Sequence, residues 1–403
     1  MTKKPGSDRG VEGERARTNV NYTHQTVATD GIAHETLVCV EEFDQVAQEW
    51  DELVRAMRKP TPFLLHSWVK AWLRYYADDA ETAIHVARRD GRLVAALPFV
   101  IRRRWRLRIA SFVGDEYPFV DVLLAPGEKL ETARALVNYA AKSHDCASLG
   151  MISTESAIVE ACGTRLRLVP RVGAPVLDIS DGFEHVYYEK YSKKARREHT
   201  RRRRKLDALG KVEIDVARTP EEIEVALEDA FRLHALRWKG RFDLSTFGTE
   251  LGARFHRDAL RGLAESGAAQ LQTLRLDGRA VAFRCNLELG QRTFFYRSAF
   301  DRDYYGVAPG VLTALEAIKQ AADDGVTAIE FLGGTQAYKL DLADRVEQLY
   351  VGLGLANGAR GALYSMMEAT RLILLSRLKR SRTLYNFYVK RVGPHLLRMH
   401  RRG

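Results

Sequence analysis

Cysteine is scarce in this sequence and forms no recognisable pairing pattern. The 403 residues include four cysteines, which are scattered along the chain without a C-x-x-C pair and without a histidine at ligand spacing. Reduced thiols inside a folded core explain such cysteines most simply. A disulfide framework is therefore not expected, and neither is a bound metal. The four are Cys39, Cys146, Cys162 and Cys285.

Long apolar runs are lacking as well. A helix that crosses a membrane needs roughly 18 apolar residues in succession, and no stretch of the sequence approaches that length. The N-terminal segment is polar and has no apolar region of the kind that a signal peptide needs. We expect residues 1–34 to be a disordered leader and the protein to be cytoplasmic.

Positive charge is plentiful but unevenly distributed. The formal net charge is +11 at pH 7, and residues 190–205 and 369–403 hold all of the excess. Each segment contains ten Lys/Arg, against one acidic residue in the first and none in the second. Such segments can bind phosphates, an anionic leaflet or an acidic polymer, or can be solvated helix faces. Neither zinc-ligand spacing nor an RNP-like aromatic pair accompanies the arginines, so sequence-specific nucleic-acid binding is not expected.

The second basic segment has the pattern of an amphipathic helix. Leu372, Leu375 and Leu378 lie beside Arg377 and Arg380. A helix of this kind can rest on a membrane surface. We expect residues 358–403 to form a basic tail that contacts an anionic membrane or a polyanion, peripherally at the inner membrane surface.

An internal repeat divides the chain. Residues 87–100 have the sequence ARRDGRLVAALPFV and residues 274–287 have LRLDGRAVAFRCNL, with six identical positions at an offset of 187. Each segment predicts a strand, an Asp-Gly turn and a second strand. A helix opened by two glutamates precedes each hairpin, at Glu41 and at Glu221. The sequence predicts two tandem copies of one α/β unit, at residues 35–178 and 213–357, joined by a basic connecting helix at residues 179–212.

Residues 294–340 predict a strand, a glycine-marked turn, a helix, a second strand and a short loop. The turn contains Tyr305, Gly306, Ala308, Pro309 and Gly310. Because Gly306 and Gly310 have no side chain, a diphosphate could approach the first-turn amides, where the unpaired N–H groups and the positive end of the helix dipole favour anions. An ordinary Pro-Gly turn before a surface helix is the alternative.

The same segment carries a family resemblance. YYGVAPG followed by EFLGGTQAYK resembles the GNAT-type acyltransferases of the CelD-like (BioF2-like) branch, which are related to the FemABX peptidyltransferases. The resemblance covers roughly residues 180–350 well. It implies an α/β (α+β) fold of two GNAT-like halves around one cleft, each a mixed, mainly antiparallel sheet flanked by helices. The chain departs from the common pattern, in which Gln or Arg opens a Q/R-x-x-G-x-G/A loop.

The resemblance also implies a reaction. The expected activity is transfer of an acyl group, acetyl above all, from acetyl-CoA or another acyl-CoA to an amine, an amino sugar or a polysaccharide-related acceptor. Members of this branch occur in settings linked to exopolysaccharide or cell-envelope production. The FemABX relation implies an aminoacyl-tRNA-dependent peptidyltransferase as an alternative, with tRNA as the one nucleic-acid partner. A non-catalytic protein that binds a polyanion or a membrane surface is a third interpretation.

Several residues acquire expected roles from this resemblance. Backbone N–H groups of Phe295, Tyr296 and Arg297, where a GNAT strand splays, could hold the thioester carbonyl or the pantetheine arm. Tyr338 is the candidate acid for the leaving thiolate. Lys339 is the candidate for stabilising charge at the reacting carbonyl. The arginines of residues 196–205 suit the nucleotide phosphate of CoA or the phosphates of tRNA.

The general base and the acceptor site are less sharply defined. His234 shares a helix face with Trp238 and has a suitable intrinsic pKa, although a histidine on an apolar face is also typical of a core. Glu330 could reach an amine through water, or could lie in a buried pair. The first copy lacks the glycine-rich turn, so we expect acceptor recognition in the cleft between the halves. The candidates there are Asp115, Tyr117, Asp121 and Trp238, with the alternative that Tyr117 and Asp121 simply end a strand.

Overall fold

A single sheet runs through both halves of the chain in the computed structural model, which describes residues 27–29, 31–114, 116–238, 246–334 and 336–380. The first half contains β1 (Val27–Thr29), β2 (Ile32–Leu37), α1 (Val40–Asp44), α2 (Ala47–Ala56), α3 (His66–Tyr76), β3 (Ala80–Arg89), β4 (Arg92–Arg104), β5 (Leu107–Phe112), β6 (Leu123–Leu124), α4 (Leu130–Ala140), β7 (Cys146–Ser153), α5 (Ala157–Cys162) and β8 (Leu166–Asp178).

Two connecting helices and a second half of similar order follow. They are α6 (Phe183–Lys190), α7 (Lys193–Asp207), β9 (Val212–Ala217), α8 (Pro220–Trp238), α9 (Glu250–Glu265), β10 (Ala269–Leu276), β11 (Arg279–Leu289), β12 (Arg292–Phe300), α10 (Pro309–Asp323), β13 (Ala328–Glu330), α11 (Ala337–Leu342), β14 (Arg345–Gly354) and α12 (Gly358–Arg380). A short 3₁₀ helix, Arg302–Val307, precedes α10.

The repeated sequence forms two equivalent hairpins. β3 and β4 turn at Asp90–Gly91, and β10 and β11 turn at Asp277–Gly278. All four turn residues have positive φ, between 49° and 80°, as the tight turn of a two-residue hairpin requires. A register shift follows Ala87 in the first hairpin and Leu274 in the second, again at the offset of 187. The hairpin predictions and the α/β fold class are confirmed.

The helices before the hairpins also begin alike. Glu222 closes a capping box with Thr219, because its Oε2 accepts from the Thr219 amide at 3.1 Å while the Thr219 hydroxyl accepts from the Glu222 amide at 3.3 Å. The corresponding Glu42 accepts from the Val38 amide at 2.8 Å.

The two halves exchange their last strands. The strand order is β1-β2-β3-β4-β5-β7-β14-β8-β13-β12-β11-β10-β9, with β6 paired to β4. β8 ends the first half but pairs with β13 of the second, and β14 ends the second half but pairs with β7 of the first. β8 and β14 also pair with each other, from Leu166↔Gly354 to Val176↔Arg345. Backbone hydrogen bonds therefore join the halves through the centre of the sheet.

Aromatic side chains fill the junction of the halves. The Trp68 ring, on α3, lies 5.0 Å from Tyr117, 5.1 Å from Phe255 and 5.5 Å from Tyr296, between ring centroids. α3 and α9 approach so closely that a Cβ on Gly262 would lie 2.5 Å from Cβ of Ser67. The core is thus shared between the halves, which positions side chains from both at one site.

Some boundaries differ from the sequence predictions. β1 and β2 begin before residue 35, so the chain enters the sheet within the predicted leader; residues 1–26 lie outside the described part. The second strand predicted within residues 294–340 is limited to β13, and the predicted loop after it contains the short helix α11, which carries Tyr338 and Lys339. The connecting segment is two helices rather than one. Within the described ranges, none of the helices is long and apolar enough to span a bilayer.

Candidate active site

The centre of the candidate site is the point where β12 and β13 separate. Their parallel pairing covers three residue pairs and ends at Phe294↔Glu330. Immediately beyond it, Phe295 pairs with Asn286 of β11 while Arg297 pairs with Cys285, so Tyr296 is an extra, bulged residue. The β13-facing side of Phe295 to Arg297 is consequently outside the parallel ladder. Backbone groups at this position are therefore free of the β13 ladder; that they hold the thioester carbonyl or the pantetheine arm stays a prediction from the resemblance.

Three cationic side chains converge on this separation. Arg284 is buried, and its guanidinium carbon lies 4.4 Å from the Phe295 ring centroid; that of Arg297 lies 4.7 Å from the Tyr296 ring centroid. Lys339 donates from Nζ to the Phe331 carbonyl at 2.6 Å. Among the described residues none of the three cations is in an ion pair, and the Nε atoms of Arg284 and Arg297 are buried without a hydrogen-bond partner. Arg284 is buried and Arg297 and Lys339 are partly buried, and cations that are withdrawn from water without a counter-ion favour an anionic ligand or an oxyanion.

The electrostatics of this basic cluster (Arg284, Arg297 and Lys339) are visible in its pKa values. Burial, together with the charges of Arg284 and Arg297, lowers the pKa of Lys339 to about 8. Burial also lowers the pKa of Arg284 to about 10. Both groups are cationic at pH 7. The Lys339 ammonium is, however, poised to release a proton close to neutral pH, as acid–base chemistry requires.

Tyr338 lies on α11 next to Lys339, with an exposed ring. Its hydroxyl is near enough to Arg284 to raise the pKa of that guanidinium, against the larger effect of burial. The two residues that the resemblance singled out therefore share one short helix beside the cluster. Position and exposure allow Tyr338 to meet a ligand that enters the separation of the strands.

A buried hydroxyl network supports the bulge. His256 Nδ1 lies 2.6 Å from the Gly252 carbonyl, so this nitrogen carries the proton and Nε2 accepts from the Tyr296 hydroxyl at 2.7 Å. The Tyr117 hydroxyl, from the first half, lies 3.5 Å from that of Tyr296. Burial raises the pKa of Tyr296 to about 12 and lowers that of His256 to about 3. Both groups stay neutral over the physiological range, so the network positions the strand and is not itself an acid or a base.

The two candidates for the general base, Glu330 and His234, are both buried. Glu330 is fully buried on β13 and pairs with the Arg292 guanidinium. This is the buried pair that strand alternation left open as an alternative. His234 is buried on α8, with its ring 5.1 Å from that of Phe247. The side chain of Trp238 and residue Asp115 lie outside the described part of the structure.

Asp121 lies at the N-terminal end of helix α5, although it is far from that helix in the sequence. Its side chain is partly buried and accepts three amide hydrogen bonds at 2.8 Å, from Val122, Ala157 and Ile158. Burial raises its pKa to about 6, although the three amides act in the opposite direction. The positions of the amides indicate that Asp121 caps α5, and it also lines a cleft described below.

The turn before α10 differs in detail from the sequence interpretation. Ala308 is left-handed (φ 47°, ψ 56°), and the Val311 and Leu312 amides donate back to its carbonyl. A Cβ on Gly310 would lie 3.0 Å from the Phe300 ring, whereas a Cβ on Gly306 would meet nothing within 4 Å. Gly310 therefore allows α10 to pack on β12, and Gly306, beside the exposed Tyr305, is the residue that keeps the outside of the turn open.

The basic helix α7 packs against this turn. Leu206 on its inner face shares an apolar cluster with Val307. The outer face of α7 forms a shallow surface depression. Three of its cations, Arg197, Arg204 and Lys205, are outside any ion pair among the described residues, whereas Arg201 and Arg202 pair with Glu198.

An open cleft of about 710 Å³ lies between the halves. Lys59 pairs there with Glu347 of β14, and its Nζ lies 4.1 Å from the Phe119 ring centroid. Burial lowers the pKa of Lys59 to about 8. The cleft contains groups of both signs from both halves. Its lining includes Arg58, Lys59, Phe119, Asp121, Glu155, Glu160, Arg292, Arg345 and Glu347.

Sequence reasoning found some of these residues and missed others. The resemblance located Tyr338, Lys339 and the bulged segment of β12. Arg284, His256 and Lys59 went unnoticed, since a single arginine in a strand or histidine in a helix carries no local motif. The repeat offered one signal for Arg284, because this arginine stands where the first copy has the apolar residue Leu97.

Comparisons with known proteins agree with this architecture. Residues 193–340 match the family model described as an acetyltransferase (GNAT) domain. The solved structure of FemX superposes with a TM-score of 0.59 at 10% identity, covering 80% of this chain and 98% of its own. A structure described as the C-terminal domain of a lysylphosphatidylglycerol synthetase from Agrobacterium fabrum gives 0.52 at 15% identity, covering 82% and 97%. These likenesses show a shared fold. No curated protein sequence matches the chain.

Proposed function

We propose that this chain, whose residues 193–340 match the model of a GNAT acetyltransferase domain, transfers an acyl group from an acyl-CoA, acetyl-CoA in the first place, to an amine or hydroxyl acceptor. The observation that supports this best is the basic cluster at the point where β12 and β13 separate. A CoA thioester bound there would place its carbonyl beside Lys339 and Arg297, with the diphosphate towards Gly306 and the basic face of α7. The CelD-like branch, with an amino sugar or polysaccharide-related acceptor, is part of the same proposal.

The proposed step needs few side chains. The acceptor nitrogen or oxygen attacks the thioester carbonyl carbon, the new bond forms, and the carbon–sulfur bond breaks. Lys339 and Arg297 stabilise the oxyanion that develops. Tyr338 gives a proton to the departing thiolate, and the acceptor loses its proton to solvent or to a base that we leave unassigned. Glu330, paired with Arg292, is a weak candidate for that base.

The acceptor is proposed to enter through the cleft between the halves. Residues of both halves line this cleft, among them Lys59, Asp121 and Arg292. Paired charges of both signs suit a polar acceptor with several hydrogen-bonding groups, such as an amino sugar. Tyr117 would contribute through its contact with Tyr296.

Substitution of Lys339 tests the catalytic assignment. Lys339→Met keeps the length of the side chain and removes its charge, so turnover with acetyl-CoA and a responsive amine should fall about 100-fold or more, as for loss of one oxyanion donor. Acetyl-CoA affinity should change much less. Release of the CoA thiol measures the reaction. Lys319→Met, at an exposed position of α10, is the matched control and should behave as wild type; equal activity of the two variants would contradict the assignment.

An aminoacyl-tRNA donor is the second candidate. The outer face of α7, with Arg197, Arg204 and Lys205 outside ion pairs, favours a larger polyanion than CoA. Filter binding with aminoacyl-tRNA separates the two donors. Tight tRNA binding without acetyl-CoA binding would replace the first proposal by the second.

A further inference from the structure

Helix α12 exposes apolar side chains on its outer face. Its inner face packs on the sheet through Tyr364, Ala369 and Leu372. The opposite face carries Leu363, Met366, Met367 and Leu374, each more than half exposed. Their spacing of three, four, seven and eleven residues places them on one stripe, about 16 Å long at the rise of an α-helix. We call this stripe the α12 outer face.

An exposed tryptophan stands beside the same helix. Trp105 is 67% exposed at the turn between β4 and β5, where it and Arg106 have positive φ. Its ring centroid lies 6.1 Å from that of Tyr364 on α12. A large aromatic ring at the tip of a hairpin is costly in water. Tryptophan is, however, well suited to the boundary between lipid headgroups and acyl chains.

Positive charge surrounds these apolar groups. Arg104 lies over the Trp105 ring at 4.9 Å, and Arg106 follows it in the turn. Arg360 and Arg377 are exposed at the two ends of the α12 outer face. Within the described ranges none of the four arginines is in an ion pair. Their charges are therefore available to an anionic partner.

We propose that the α12 outer face and Trp105 together dock on the surface of an anionic phospholipid bilayer. The helix would lie in the plane of the interface, with its methionines and leucines among the acyl chains and the arginines at the phosphates. This association is independent of the proposed acyl transfer. It concerns a different face of α12 from the leucines that the sequence suggested, because Leu372 and Leu375 face the sheet or its edge, whereas the lipid-facing residues of the proposal are Met366, Met367 and Leu374.

Charge selects the bilayer over a second copy of the chain. Two copies that met through this surface would bring their arginines together. The described part of the α12 outer face has no exposed acidic side chain that could offset the repulsion, since Glu368 is already paired with Arg371. A bilayer with phosphatidylglycerol supplies the missing negative charge. A basic segment at residues 381–403 follows in the sequence and has the same preference.

Vesicle flotation of the full-length protein tests the proposal. The vesicles are phosphatidylcholine alone and phosphatidylcholine mixed with phosphatidylglycerol. Wild-type protein should float with the mixed vesicles, and a variant with Met366→Ser, Met367→Ser and Leu374→Ser should partition at least about tenfold more weakly. Trp105→Gln should weaken partitioning further, and the difference between the wild-type and Trp105→Gln emission spectra, which isolates Trp105 from the other four tryptophans, should shift to the blue on binding. A variant with Val225→Ser and Leu251→Ser, exposed apolar residues on α8 and α9, is the matched control.

Two results would overturn the proposal. Equal flotation of the triple variant and the wild type would assign the binding to the basic segment alone. A concentration-dependent dimer of the wild type, measured by light scattering and dispersed by the triple substitution, with no flotation, would assign the surface to self-association. Because all substituted side chains are exposed, circular dichroism and melting temperature should be unchanged, and this check separates lost binding from lost folding.

Discussion

Lys339 owes its proposed role to its surroundings more than to its identity. Its ammonium is held by the Phe331 carbonyl and faces two arginines in a partly buried site. An ordinary lysine has a pKa of about 10.4. Burial and neighbouring positive charge disfavour the protonated form, which accounts for a pKa of about 8.

The pH dependence of turnover follows from this pKa. The cationic form of Lys339 is the one that stabilises an oxyanion, and it is lost as pH rises through about 8. We therefore expect kcat to decline above about pH 8. Lys339→Arg keeps a positive charge at high pH, so its residual activity should lack this decline. A pH–rate profile of the two proteins is the measurement, and the same alkaline decline in both would exclude Lys339 as its source.

Individual residues of the candidate site were predictable where they belong to a recognisable sequence motif. Tyr338 and Lys339 follow a recognisable EFLGGTQAYK segment, and the structure places them beside the bulged strand. Asp121 was expected to bind an acceptor, and its two hydrogen bonds from amides at the start of α5, 36 and 37 residues along the chain, could not be foreseen. Arg284 and His256 depend on partners from other strands and helices, which sequence spacing does not specify.

The turn before α10 contains two glycines with different surroundings. Both Gly306 and Gly310 were expected to leave room for a diphosphate. The structure gives Gly310 a packing reason, because its Cα faces the Phe300 ring, and leaves only Gly306 facing open space.

Alanine substitutions distinguish the two glycines. Gly310→Ala forces a methyl group to 3.0 Å from Phe300, so we expect a loss of about 1–3 kcal/mol in the free energy of unfolding, typical of overpacking. Gly306→Ala meets no neighbour and should change stability by less than about 0.5 kcal/mol. Urea denaturation of both variants gives the comparison. A Gly310→Ala protein as stable as Gly306→Ala would show that the turn adjusts freely.

The hairpins were the most predictable elements, because Asp-Gly between alternating apolar residues encodes its own turn. The extents of β13 and α11 were less predictable from the sequence. Their lengths depend on where β12 stops pairing and on the Lys339 contact with Phe331, both of which are tertiary effects. For the same reason a loop was expected where α11 forms.

The whole molecule is organised by the exchange of β8 and β14. Two tandem units were evident from the repeat, but the partner of each terminal strand was not, since strand propensity and alternation do not identify which strand lies alongside. Because the terminal strands are exchanged, the boundaries proposed at residues 178 and 213 divide the sequence into two units, but the two units share one sheet in the structure. The exchange also brings Tyr117 of one half to Tyr296 of the other.

This connection predicts cooperative unfolding. The halves share the β8–β14 pairing and the aromatic cluster around Trp68, so neither has a complete core alone. Calorimetry of the full chain should give one transition, with a van't Hoff enthalpy close to the calorimetric one. Two resolved transitions, or a separately folded fragment of residues 35–178, would show that the exchanged strands contribute little to stability.

Titration calorimetry with acetyl-CoA, on the wild type and on Gly306→Glu, measures whether the turn before α10 binds an acyl-CoA. The substitution places a carboxylate at the open side of the turn without a steric clash, so it should repel a diphosphate while the fold is kept; Gly306→Ala is the neutral control. We predict micromolar binding to the wild type and to Gly306→Ala, and affinity at least about tenfold weaker for Gly306→Glu, the factor that about 1.4 kcal/mol of repulsion produces. Absence of acetyl-CoA binding to the folded wild type, or equal affinity in all three proteins, would contradict an acyl-CoA site at this turn.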